Sequence, residues 1–135
     1  MRGTGLAAVL VALLSGCGST QQITETPFEQ AAGDAASVMS AAAVTLRFIH
    51  AEPASMTVEY AAGSMINYAD EVSSVPDELP TLSGAPDAAT VQDLVEVIQP
   101  AVDDIESPCL MPDCDWQSQV DDLETARDAI LDATQ

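Results

Sequence analysis

An all-α fold, four helices in an antiparallel bundle, is what this chain predicts, and three observations carry the prediction. Apolar residues recur at three- and four-residue spacing through four separate segments, no stretch keeps the strict alternation of a half-buried strand, and proline and glycine gather between the segments. Four amphipathic helices, none apolar all round, can bury their stripes only against one another, which makes a bundle the economical packing. Abundant alanine at the stripe positions allows close helix approach but limits the area each residue buries, so moderate stability is expected.

The first helix opens at Thr26-Pro27-Phe28-Glu29, where a Thr N-cap, a proline at the first helical position and a glutamate at N3 together make a capping box. Its stripe is Phe28, Ala32, Ala35, Met39, Ala42, Leu46 and Ile49. The run ends near Ala51, because Pro53 disfavours the helical conformation at Glu52. The second helix is predicted from about Ala54 to Ser73, with Pro53 in its first turn and Val58, Ala62, Met65, Ala69 and Val72 on the inner face.

Residues 74–86 hold Pro76, Pro80, Gly84 and Pro86 and are expected to be a long connection with at most one short helical turn. The third helix, about Asp87 to Glu106, has the strongest pattern in Val91, Leu94, Val95, Ile98, Ala101, Val102 and Ile105. Pro100 removes the bond to the Glu96 carbonyl, so a kink or short break is expected there. The fourth helix, capped by Asp113 or Asp115, carries Trp116, Val120, Leu123 and Ile130 and reaches nearly to Gln135.

Ahead of the helices the pattern is of another kind. Arg2 supplies a positive start, Leu6 to Leu14 are apolar without interruption, and the small residues Ser15 and Gly16 precede Cys17. This Leu14-Ser15-Gly16-Cys17 junction resembles the lipobox of bacterial lipoprotein precursors, and the resemblance covers residues 1–17 only. It implies cleavage before Cys17, acylation (palmitate included) of Cys17, and a body held at the extracytoplasmic face of the cell membrane. A membrane-spanning helix needs roughly 20 apolar residues, and Gly5 to Gly16 is well short of that. The expected organisation is a signal peptide over 1–16, a lipidated cysteine and polar tether over 17–26, and a helical domain over 27–135. Removing the signal leaves roughly 120 residues, which suits one domain with a modest core.

The formal charge is −19, with 22 acids, three arginines and no lysine. Nucleic acid and anionic headgroups are bound through clusters of Lys and Arg, so nucleic-acid binding is excluded as a function class. With Cys17 taken by lipid, Cys109 and Cys114 remain as an even pair. Leu110-Met111-Pro112-Asp113 between them includes a turn-forming Pro-Asp, which predicts a structural disulfide closing a short loop. A metal site would need two further soft or imidazole ligands, and a redox dithiol usually has two-residue spacing.

No constellation of catalytic type is legible. His50, the only histidine, stands near the C-terminal end of the first helix, where the helix dipole favours a cation, and is read as a surface or capping residue. The acids around Asp103-Asp104, Glu106, Asp113, Asp115, Asp121-Asp122 and Glu124 are read as a solvated face, since the central glycine and terminal glutamate of an EF-hand are absent. Met39 and Met65 fall on core stripes, which favours packing over a copper or haem role for the methionines. Arg47 and Arg127 are expected in structural ion pairs, Arg127 with Glu124 three residues earlier. The expectation is a non-enzymatic envelope interaction protein with no catalytic residue, metal or cofactor and with an envelope protein as partner. The rival is a bundle that binds a small ligand or a metal such as Ca²⁺, copper or haem iron.

Overall fold

The computed structural model describes residues 25–135. The signal segment, the lipobox with Cys17 and nearly all of the tether lie outside the described residues. Those described are helical throughout their regular structure, with no strand among them: α1 (Pro27–Ala51), α2 (Val58–Val72), a one-turn α3 (Val75–Glu78) running into a 3₁₀ turn (Leu79–Thr81), α4 (Ala88–Glu106) and α5 (Trp116–Ala133). No helix among them is long and apolar enough to cross a membrane. Four long helices are therefore established.

Each of the four long helices starts at a side-chain cap. Thr26 Oγ1 accepts from the Glu29 N–H at 3.1 Å and donates to the Glu29 carboxylate at 3.1 Å, so the glutamate closes the box through the threonine hydroxyl. Asp87 accepts from the Thr90 N–H at 2.9 Å, and that bond holds its carboxyl below the ordinary value. Asp115, not Asp113, caps α5 through the Ser118 N–H at 3.3 Å. Helix α2 departs from expectation by starting four residues late. Thr57 accepts from the Tyr60 N–H at 3.1 Å and is the cap, while residues 52–57 form a turn closed by the Ser55 N–H on the Glu52 carbonyl.

All seven stripe residues of the first helix are buried, and so are Ala36, Val38, Ala43 and Thr45. The burial is wider than one stripe because α1 packs on α2, on α5 and on the α3–3₁₀ segment at once. The Thr45 hydroxyl is satisfied by the Ala41 carbonyl at 2.9 Å. On α4 every stripe residue is buried except Val95, which is half-buried. Helix α4 runs through Pro100 with no break, contrary to the break considered from the sequence. Glu96 and Pro100 are both on the exposed side, where water can satisfy the carbonyl that proline leaves without a partner.

The 74–86 connection is more structured than its composition suggests. Val75, Pro76 and Leu79 are buried, and Val75 and Leu79 join the core. The Phe28 N–H donates to the Ser83 carbonyl at 3.1 Å, tying the connection to the start of α1. Gly84 beside it has φ +85°, and a Cβ there would run into the Thr26 side chain, so only glycine fits both the conformation and the contact.

Candidate functional site

The end of α1, the start of α5 and the 107–115 loop meet at one place. His50, the penultimate residue of α1, donates from Nε2–H to the Cys109 carbonyl at 2.6 Å. Its ring lies on Trp116, the first residue of α5, with centroids 4.8 Å apart and planes within 6°. From the other side, the Gln119 side chain accepts from the Cys109 N–H at 2.7 Å and donates to the Ser107 carbonyl at 3.0 Å and to Asp104 at 3.4 Å. The loop is thus pinned at both backbone groups of Cys109.

The bridge that the spacing predicts between Cys109 and Cys114 is not formed in this structure. Both are free thiols, and the hydrogen bond that the Cys109 S–H gives Cys114, together with burial and the nearby Cys114, Asp115 and Asp104 charges, pushes the Cys109 thiol up to about 11. A thiol held this far above neutrality is a poor nucleophile.

Behind the loop, Asp104 on α4 faces Asp122 on α5. Burial first, then the hydrogen bond and charge of Asp122, raise Asp104 to about 7. Its Oδ2 is buried without a donor, so a proton shared with Asp122 is what would satisfy it. The unfolded carboxyl titrates near 3.8, so stability is fully present below about pH 4 and is lost as pH rises towards 7. Asp104→Asn removes this loss and supplies an amide donor to Asp122. Because the group is partly exposed, the gain at pH 8 is on the order of 1 kcal/mol, with a rise in melting temperature of roughly 4 °C. Melts at pH 8 and pH 4 check it: the variant and the wild type should coincide at the lower pH.

The arginines pair more closely than the sequence implies. Arg47 on α1 reaches Glu124 on α5 at 2.7 Å, Arg127 approaches the same carboxylate at 3.8 Å, and Arg127 also meets Asp128 at 3.0 Å. Apart from the Asp104–Asp122 pair, the acids at the end of α4 and along α5 do not gather into a cluster of ligating type among the described residues. Among the described residues, no group of three or more His, Cys, Asp or Glu side chains is placed to hold a metal ion.

The four body methionines divide into two kinds. Met39 and Met65 are in the core, as their stripes predict, whereas Met56 and Met111 border an open hollow of about 510 Å³ together with His50, Val58, Leu110 and Trp116. Val58, expected inside, is 45 % exposed, and Tyr60, Ile66 and Met111 are more exposed still. An apolar surface therefore surrounds the pinned loop. Neither the Gln119 clamp nor the His50–Trp116 stack has a sequence signal, since both join residues far apart in the chain. The chain matches no known family, no curated protein and no solved structure.

Proposed function

We propose that this is a lipid-anchored, extracytoplasmic interaction protein, not an enzyme, tethered through Cys17 and built as an antiparallel four-helix bundle. The bundle reading is supported by a closed circuit of packing, α1 on α2, α2 on α4, α4 on α5 and α5 on α1, and by the short 52–57 turn between the first two. The anchoring reading rests on the lipobox alone. In an oxidising envelope the adjacent Cys109 and Cys114 thiols are the pair that would close into a disulfide, passing two electrons to a dithiol–disulfide oxidoreductase. Free-thiol titration of the exported protein is expected to find none before reduction; two would count against it.

The observation that carries the interaction reading is the apolar surface around the loop. Ile66 and Met111 are 63 % and 60 % exposed, and such residues gathered around a loop held by three hydrogen bonds support reading it as a contact surface. The test is in-cell photo-cross-linking. A photoreactive side chain at Ile66 should give a discrete adduct with an envelope protein and one at exposed Asp34 on α1 should give none. No adduct at Ile66, or equal labelling at both, contradicts the reading.

A carrier reading has one observation behind it: Met56, Met111 and His50, possible soft-metal ligands, border the same hollow. Stoichiometric retention of Cu(I) in equilibrium dialysis, lost in Met56→Leu, would favour it over the interaction reading.

A further inference from the structure

The hollow beside His50 does not stand alone. A second one, of about 420 Å³, lies along α2 between Ala62, Ile66 and Ala69 on one side and Ile105 and Pro108 on the other, and Leu110 is a wall of both. Val58, Ala62, Ile66 and Ala69 follow one another at four- and three-residue steps, so a single stripe of α2 lines the two hollows from end to end. The two hollows, which share the Leu110 wall, are together called the trough, and they lie beside a 15-residue helix about 22 Å long. Thioethers at Met56 and Met111 in the trough lining offer the adaptable packing common at protein-binding grooves.

The charge around the trough has one sign. Asp70 and Glu106 are in its walls, and Glu59 stands on the exposed face of α2 beside Tyr60 and Ile66. No arginine borders either hollow; Arg47 and Arg127, the only Arg or Lys side chains among the described residues, are committed to Glu124 and Asp128. An acidic peptide, an anionic headgroup or a nucleic acid is repelled here. A helix with an apolar stripe flanked by Lys and Arg matches the trough in both its apolar lining and its charge.

Resting on the interaction reading above, and naming its partner, we infer that the trough docks a cationic amphipathic helix of another protein. The apolar stripe of that helix covers Ile66, Leu110 and Met111, and its Lys and Arg side chains meet Glu59, Asp70 and Glu106. The apolar contact sets affinity, and the charges set approach and selectivity.

The test uses the full chain in phosphatidylcholine vesicles and a Trp-free, 18-residue Leu/Lys peptide with helical periodicity. Trp116 is the only tryptophan and borders the trough, so its emission reports docking directly, with empty vesicles as the blank. A scrambled peptide of identical composition separates docking from attraction to a highly acidic protein. At physiological salt the amphipathic peptide should bind at least tenfold tighter than the scrambled one. Ile66→Ser with Met111→Ser should abolish that preference, and Glu59→Gln with Asp70→Asn and Glu106→Gln should weaken binding severalfold and flatten its salt dependence. All five positions are on the surface, so unchanged circular dichroism confirms the fold of each variant. Equal binding of the two peptides, or a preference that survives the Ile66/Met111 variant, overturns the inference. If that happens while the Ile66 cross-link in cells persists, the interaction reading stands and only the cationic helix is wrong; if the cross-link is also absent, both fail.

Discussion

Leu94→Asp is expected to abolish the cooperative helical fold. Leu94 is 4 % exposed at the centre of the α4 stripe, in the cluster that includes Val91, Ile98 and Leu123. An aspartate there loses the leucine's apolar burial and places a carboxylate where no arginine can reach, since both are held at Glu124. The combined cost is about 5 kcal/mol or more, comparable with the entire stability of a domain of this size. Val44→Asp, at a site 49 % exposed on α1, should change stability by no more than about 0.5 kcal/mol. Circular dichroism and thermal melting compare the two: loss of helical signal and of the sigmoidal transition is expected for the first only. A folded Leu94→Asp would mean that α4 does not pack as described.

The same burial explains which parts of the fold were legible in the sequence. Thr26, Asp87 and Asp115 act within three residues of themselves, so the starts of α1, α4 and α5 follow from local chemistry. The α1 and α4 stripes are deeply buried because each helix has neighbours on more than one side. Helix α2 was less legible. Its alternating small and apolar residues describe a plausible inner face, but α2 packs on α1 and α4 mainly through Ala61, Met65 and Val72, which leaves Val58 and Ile66 outside. Thr57 is as good a cap as Thr26, yet Pro53 marks an earlier possible start, and nothing local decides between them.

The site was hardly legible at all. His50 reads as an ordinary residue near a helix end because its two partners, the Cys109 carbonyl and the Trp116 ring, are brought to it only by the fold. Gln119 has no local pattern that distinguishes it from Gln117, although of the two only Gln119 clamps the loop. The Cys109–Cys114 spacing does report proximity, but the bond itself depends on an oxidant that no sequence encodes. The Asp104–Asp122 pair could be suspected only from the density of acids in that region, which equally describes a solvated face.

The second large effect concerns the anchor. Each methylene of an acyl chain adds about 0.8 kcal/mol of membrane affinity, and one chain holds only marginally, so the two or three chains of a processed lipoprotein bind without measurable release. Cys17→Ser leaves no thiol to acylate and should move the protein from the membrane fraction to an uncleaved or soluble precursor. It leaves the helices and the trough untouched, so loss of the Ile66 cross-link in this variant would place the partner at the membrane surface.

Metabolic labelling with a palmitate analogue, comparing wild type with Cys17→Ser, tests the central claim most directly. The account predicts label in the membrane-bound wild type and none in the variant; equal incorporation into both would contradict it.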